Sequence, residues 1–255
     1  QMFKSYVGAA SIISNAHVMS MLATANFLLC NYSKAISLYE CANVMYQHLY
    51  GEKEIANFDM AFALTMIGIS YHCMTHYHRC IQWCLKAFEA YSVLFKNKTH
   101  SLKVLDRWFI TETLYTLGYS YSTLNFHDNA MFYLDLAHKM LEGIADADIK
   151  QDVKILKAMA DEFAVLENNE KALEYYKEAL NKSMILGDEE SATALQNQLL
   201  NRMAGIHINT KDYSAAAEYL KKALDYQKNV QHTIQFDMID MLRKLGVTYT
   251  LSGDI

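Results

Sequence analysis

Residues 68–87, GISYHCMTHYHRCIQWCLKA, contain the spacing that decides how the whole chain is interpreted. If Gly68 is the eighth residue of a helix–turn–helix unit, Cys80 is the twentieth, Cys84 the twenty-fourth and Ala87 the twenty-seventh. Small residues therefore stand at the eighth, twentieth and twenty-seventh positions. Two antiparallel helices pack closely where a small residue leaves room at their crossing. The stretch predicts two helices joined by a turn.

The same offsets recur along the chain. Units begin near residues 16, 61, 111, 153 and 197, and the first half of a sixth begins near 239, so the spacings are 45, 50, 42, 44 and 42 residues. A single match carries little weight, because alanine is common in helices, but five in register indicate a repeat. The matching residues of the other four complete units are Ala23, Ala35, Tyr39 and Ala42; Gly118, Ala130, Leu134 and Ala137; Ala160, Ala172, Tyr176 and Ala179; and Ala204, Ala216, Leu220 and Ala223.

The chain has the composition of an all-helical protein. Its 255 residues include no proline and only nine glycines, whereas strand-rich folds need more turn residues. Residues 152–164 and 170–186 show the apolar period of an amphipathic helix. We therefore expect an all-α fold, a right-handed α-solenoid of stacked antiparallel helix pairs. Residues 16–255 would form the repeat array, and residues 1–15 a partial flanking helix.

Charge and cysteine usage favour a cytoplasmic protein that binds neither nucleic acid nor membranes. Lys and Arg number 9 against 7 Asp and Glu in residues 1–127, and 14 against 21 in residues 128–255, so neither half is strongly basic. No apolar run approaches the roughly 18 residues that a membrane span needs, and no leader pattern opens the chain. The five cysteines are odd in number and mostly at helical spacing, which fits a reducing compartment.

Over residues 16–255 the repeated offsets resemble those of the tetratricopeptide-repeat superfamily, although the units exceed its minimal length of about 34 residues. Two long-repeat types are candidates. Residues 50–53 and 185–188 are similar to the loops of kinesin light chain and nephrocystin arrays. The irregular spacing and residues 70–91 resemble the bacterial Rap-type receptors for peptide pheromones. The subfamily stays open between the two.

The crowded stretch around His72 raises the alternative of a metal site. Its thirteen residues 72–84 hold three histidines and three cysteines, with His72/His76 and Cys80/Cys84 as i,i+4 pairs. A packing role explains these residues better than a metal site does, because Cys80 and Cys84 occupy core positions of the repeat. We expect no metal, no cofactor and no catalytic residue. The chain also lacks a glycine-rich phosphate loop and an H-E-x-x-H motif, so an enzyme is expected only if a catalytic domain lies outside it.

Stacked repeats bind partners on the surface formed by their first helices. Tyr115 and Tyr119 are expected as aromatic anchors, and Lys157, Asn201 and Arg202 as donors to a backbone or to acidic groups. Members of the superfamily that bind chaperone tails pair a lysine with an asparagine four residues later, and Asp161 follows Lys157 here, which disfavours that role. The candidate partner-binding residues are Phe62, Thr65, Ile69, Glu112, Tyr115, Tyr119, Lys154, Lys157, Asp161, Gln198, Asn201 and Arg202, with His72, Arg243 and Lys244 extending the surface.

The resemblance implies a non-catalytic module that presents a concave groove to a protein or peptide ligand and acts as a scaffold or adaptor. The alternative is a peptide-sensing regulator of the Rap type, whose superhelix changes shape when a signalling peptide binds. A homo-oligomer is left open. In the sixth unit, Leu242, Leu245 and Tyr249 form an apolar stripe that lacks a covering helix, so we expect further chain to pack there.

Overall fold

The computed structural model of the protein describes residues 2–50, 58–96, 104–141, 148–187, 190–228 and 235–252. Within these ranges the chain is helical and contains no β-strand, which confirms the predicted all-α fold. None of the helices in this part of the chain combines the length and the apolarity that crossing a bilayer requires. The eleven helices of the described residues are α1 (Met2–Leu28), α2 (Tyr32–Tyr50), α3 (Phe58–Cys73), α4 (Tyr77–Lys96), α5 (Val104–Thr123), α6 (His127–Leu141), α7 (Ile149–Val165), α8 (Asn169–Met184), α9 (Glu190–Asn209), α10 (Tyr213–Lys228) and α11 (Gln235–Ser252).

The chain divides into two compact units, Gln1–Asp146 and Ala147–Ile255. Unit 1 contains the pairs α1/α2, α3/α4 and α5/α6, and each pair packs on the next through α2 against α3 and α4 against α5. Unit 2 contains the pairs α7/α8 and α9/α10, followed by α11, which packs on α10. Antiparallel helix pairs stacked in chain order are therefore the building blocks of both units, as predicted.

The five turns inside the pairs have the same backbone geometry. In each, one non-glycine residue has a positive φ of 59–63°, and the next residue donates its N–H to a carbonyl five positions earlier, as His76 does to Tyr71 at 2.9 Å. The intervals between these turn residues are 45, 50, 42 and 44 positions, equal to the spacings read from the sequence. The positive-φ residues are Cys30, Thr75, Asn125, Glu167 and Lys211.

The helix pairs meet at the small residues that the repeat predicted. The residues at the twentieth, twenty-fourth and twenty-seventh positions of all five complete units are at most 1% exposed. A Cβ atom added to Gly68 would lie 2.3 Å from Cys84 Sγ, and one added to Gly118 would lie 2.6 Å from Leu134 Cγ. At these two crossings the second helix occupies the space that any larger residue would need.

The two ends of the chain differ from the middle. Residues 1–15 are expected to form a partial flanking helix, and residues 2–15 lie within α1, which runs to Leu28. At the other end, Leu242 is 47% exposed, while Leu245 packs partly against the cluster of Leu220 and Ala223. The covering of the stripe on α11 by further chain stays a prediction.

Replacing Gly68 with alanine is expected to destabilise the fold by about 1–3 kcal/mol, because the new methyl group would overlap Cys84 Sγ. The matched control is Gly205→Ala in the interior of α9, where a Cβ meets nothing within 4 Å. That change should stabilise the protein by about 0.5–1 kcal/mol, because alanine loses less backbone entropy on folding. Urea unfolding measures both, and shifts of the same sign would contradict the role given to Gly68.

Candidate functional site

The first helices of the second and third pairs, α3 and α5, lie side by side in unit 1. Phe62 packs edge-to-face on Phe109, with ring centroids 4.8 Å apart. Toward the ends of the two helices, the rings of His72 and Tyr119 meet edge-to-face at 5.1 Å. Ile69 packs partly buried against the apolar cluster that joins the first two pairs. The candidates on α3 and α5 therefore come from two helices that are in direct contact.

Thr65 is a correction to the sequence prediction. It is fully buried, with its Oγ1 2.9 Å from Thr113 Oγ1 and 3.2 Å from the hydroxyl oxygen of Tyr91, and it donates to the carbonyl of Ala61 at 3.0 Å. A side chain in that position cannot meet a ligand on the surface. Thr65 instead links α3, α4 and α5 through a polar contact inside the core.

Tyr119 is the exposed member of the unit 1 candidates, with 41% of its surface accessible. Its ring lies 6.2 Å from that of Tyr115, which is half-buried like Glu112. Because the His72 ring supports Tyr119 from α3, the phenol is held with little freedom while one side remains open. An aromatic ring held in this way can pack against an apolar group of a partner.

In unit 2, Asp161 on α7 contacts three side chains, one from each of the helices α7, α8 and α9. Lys157 Nζ lies 3.4 Å from Asp161 Oδ2, Arg202 Nε of α9 lies 3.4 Å from Oδ1, and the hydroxyl of Tyr176 on α8 donates to Oδ1. Burial raises the pKa of Tyr176 well above its ordinary range, and the negative charge of Asp161 raises it further. The carboxylate therefore positions a lysine and an arginine whose side chain is still 61% exposed.

A second polar group joins α9 to α11. Lys244 Nζ donates to Asn201 Oδ1 at 2.9 Å and lies 2.9 Å from Asp240 Oδ2, while Arg243 Nη2 donates to Asp240 Oδ1 at 2.8 Å. Hydrogen bonds from Lys244 and Arg243 lower the pKa of Asp240. The side-chain amide of Asn201 accepts from Lys244 through its oxygen and also carries two N–H donors.

These contacts define a surface that we term the α7–α9–α11 face. It carries five basic and two acidic side chains, whereas residues 147–255 as a whole hold 13 basic and 17 acidic residues, a net charge of −4. The face is therefore positive within an acidic unit, and its cations are available to an acidic group. Its members are Lys157, Asp161, Asn201, Arg202, Asp240, Arg243 and Lys244, together with Lys154 and Gln198, which repeat position assigns to the same helices α7 and α9. Lys154, Gln198, Arg202 and Arg243 are exposed.

The histidine- and cysteine-rich stretch has a packing role at its centre. Cys80 and Cys84 are fully buried, with their Sγ atoms 3.9 Å apart, and Cys80 Sγ lies 3.2 Å from Ser120 Oγ. The hydrogen bond from Cys84 lowers the pKa of the Cys80 thiol to about 6. In the part of the chain that the structure describes, no three His, Cys, Asp or Glu side chains are arranged to hold a metal ion.

Sequence reasoning missed Tyr176 as a member of the site. It was assigned only to the core, at the twenty-fourth position of its unit, and it is indeed 1% exposed. Its hydroxyl nevertheless reaches Asp161 on the first helix of the same pair. A buried tyrosine hydroxyl usually has a hydrogen-bond partner, so the predicted burial of Tyr176 could have indicated that it contacts a polar residue of a neighbouring helix.

Tyr176→Phe should lower stability by about 1.5–3 kcal/mol near neutral pH, because a hydrogen bond to a charged group is lost. The pKa of Tyr176 is higher in the folded than in the unfolded state, so this contribution is complete below about pH 10 and is lost as the pH rises further. The stability difference from wild type should therefore shrink above pH 10, which urea unfolding at several pH values measures. Tyr213→Phe in α10 is the control, and an equal alkaline change in both variants would refute the assignment.

Comparison with known proteins agrees with this geometry. Residues 197–230 match the family model of the tetratricopeptide repeat, and they cover α9 from its eighth residue onward together with α10. No curated protein sequence matches the chain. The family match and the helix pairs agree on where the fifth repeat lies.

Several solved structures are similar to the fold. Aspartyl phosphate phosphatase F from Bacillus subtilis aligns with a TM-score of 0.66 and 14% identity over 98% of this chain and 58% of that one. NprR in complex with its cognate peptide NprX aligns with a TM-score of 0.59 and 14% identity over 92% of this chain and 61% of that one. TPR-like repeats assigned to a kinesin light chain of Podosopora anserina align with a TM-score of 0.64 and 11% identity over 87% of this chain and 99% of that one. At these identities the likeness concerns the fold.

Proposed function

We propose that this chain, which has the tetratricopeptide-repeat fold, is a non-catalytic binding module that holds an extended or helical segment of a protein or peptide against its first helices. The observation that carries the proposal is the α7–α9–α11 face, where Asp161 and Asp240 hold Lys157, Arg202 and Lys244 in defined positions. Preorganised donors of this kind reduce the entropy lost when a ligand binds. The repeat array of residues 16–255 and a cytoplasmic location are parts of the same proposal.

The charge of the α7–α9–α11 face favours an acidic segment as its ligand. Lys157 and Arg202 share Asp161, so a carboxylate from the ligand would approach the same cations from the exposed side of Arg202. Guanidinium and carboxylate groups match in geometry and can form two parallel hydrogen bonds. In unit 1, Tyr119 supplies a different kind of contact, an aromatic ring held by His72.

A second candidate function is peptide sensing, in which a bound peptide changes the packing of the helix pairs. The likeness to aspartyl phosphate phosphatase F and to NprR, which was solved with its cognate peptide, supports it. A scaffold would bind without such a change. Small-angle scattering with and without a bound peptide separates the two, because only a sensor should become measurably more compact.

Peptides selected from a random heptapeptide display library on the wild-type protein provide probes for the site. Binding of these peptides to Tyr119→Ala and to Asn201→Ala, measured by fluorescence anisotropy, should weaken about tenfold for each variant whose side chain the peptide contacts. Phe132→Ala, which removes an exposed aromatic ring from the second helix α6, should leave affinity unchanged. Unchanged affinity in both site variants, with folding intact by circular dichroism, would refute the surface assignment.

A separate experiment tests whether the α7–α9–α11 face prefers acidic peptides. A labelled heptapeptide with three glutamates should bind about tenfold more tightly than the same peptide with glutamines, and added salt should reduce the difference. Lys157→Gln and Arg202→Gln should remove most of this preference. Lys177→Gln on the second helix α8 removes a charge of the same sign from elsewhere in unit 2 and should preserve it. Equal losses in all three variants would mean that net charge alone attracts the peptide.

A further inference from the structure

The accessible side of α5 combines two tyrosines with one carboxylate. From residue 110 to residue 120, every position is buried except Glu112, Tyr115 and Tyr119. These three have the spacing i, i+3 and i+7, so they lie on one side of the helix. Glu112 and Tyr115 are half-buried, and Tyr119 is 41% exposed. A ligand that approaches this part of α5 therefore meets these three side chains.

The two tyrosine rings are spaced so that both can contact one cation. Their centroids are 6.2 Å apart, and the ring planes are inclined at 47°. A cation is attracted to the face of an aromatic ring when it lies within roughly 6 Å of the centroid, and a group between the two rings can meet this condition for both. His72 packs edge-to-face on Tyr119 at 5.1 Å, and its Nδ1 lies 3.3 Å from Ser120 Oγ. The Tyr119 ring is therefore supported from α3.

The charges of α3 and α5 favour a cation at this place. Glu112 is the one charged residue among residues 108–123 of α5, and α3 contains no lysine or arginine. Arg107, the basic residue of α5, stands about 140° around the helix from Glu112 at 3.6 residues per turn. The aromatic rings and the carboxylate thus attract the same kind of group, and no basic residue of these two helices shares their side.

An arginine side chain matches this combination better than a lysine does. Its guanidinium group is planar and weakly hydrated, so it can stack on a tyrosine ring while its edge donates hydrogen bonds. Guanidinium and carboxylate groups can pair through two parallel hydrogen bonds. An ammonium group is a compact, strongly hydrated charge that lacks a flat surface for stacking.

We propose that Glu112, Tyr115 and Tyr119 form a site for an arginine side chain of the bound segment, with the guanidinium group between the tyrosine rings and its N–H groups directed at the carboxylate. This inference rests on the proposed function and adds a second charge requirement to it. The ligand would carry a basic residue for α5 in unit 1 and acidic residues for the α7–α9–α11 face in unit 2.

The test uses two fluorescein-labelled heptapeptides of glycine and leucine that differ only at the central residue, which is arginine or citrulline. Citrulline keeps the shape of arginine and removes its charge. By fluorescence anisotropy, the arginine peptide should bind the wild-type chain about tenfold more tightly, and added salt should reduce the difference. Glu112→Gln, which removes the charge, and Tyr119→Leu, which removes the exposed ring, should each bring the ratio of the two affinities close to one.

Glu89→Gln is the matched control, because it removes an exposed carboxylate from the second helix α4 of the same unit and should keep the tenfold ratio. Circular dichroism confirms that each variant is folded. Equal binding of the arginine and citrulline peptides to the wild-type chain, or a ratio that survives Glu112→Gln, would overturn the arginine site. Binding of the three-glutamate peptide in that same case would leave the proposed function standing, whereas failure of every peptide to bind would overturn both.

Discussion

The close approach of the two helices in each pair is the constraint on which the rest of the structure depends. A Cβ atom at Gly68 would lie only 2.3 Å from the sulfur of Cys84, and one at Gly118 only 2.6 Å from Leu134 Cγ. Elsewhere alanine fulfils the same requirement at 0% exposure, as at Ala23 and Ala160. Because each crossing determines how far apart its two helices lie, the small residues also determine how neighbouring pairs stack. A repeat with a large residue at this position could not join the stack without displacing its own second helix.

Stacking of the pairs places first helices beside one another, and the two units use this arrangement differently. In unit 1 the contacts between α3 and α5 are aromatic, as in Phe62 against Phe109, or concern neutral hydroxyl groups, as in Thr65 against Thr113. In unit 2 the corresponding contacts are ionic, as in Asp161 with Arg202. The same backbone plan therefore supports an aromatic surface in one unit and a charged surface in the other. Function on such a fold follows from the side chains that the first helices present, since the backbone is common to both.

The candidate site was predictable only in part. The i,i+4 spacing of Lys157 and Asp161 on one helix is visible in the sequence, and the structure pairs them. The burial of Thr65 was not visible, because it depends on how α4 and α5 pack against α3, and Thr113, whose hydroxyl meets that of Thr65, lies 48 residues further along the chain. The same holds for Tyr176. Its position in the repeat predicts that it is buried, but its hydrogen bond to Asp161 depends on the side-chain conformations of two residues on different helices. Repeat position indicates which helix a residue belongs to, and the neighbouring helix decides whether that residue is accessible.

The sequence by itself determined the helices, the turns and the small residues at the crossings. These features depend on neighbours within one helix pair, so local periodicity and a recurring interval of 42–50 residues are sufficient to locate them. The tertiary structure alone decided which side chains of the first helices remain exposed and how Asp161 comes to contact side chains from three helices. Those contacts join residues of different helices, and they form only when packing has set the distance and rotation of one helix against another.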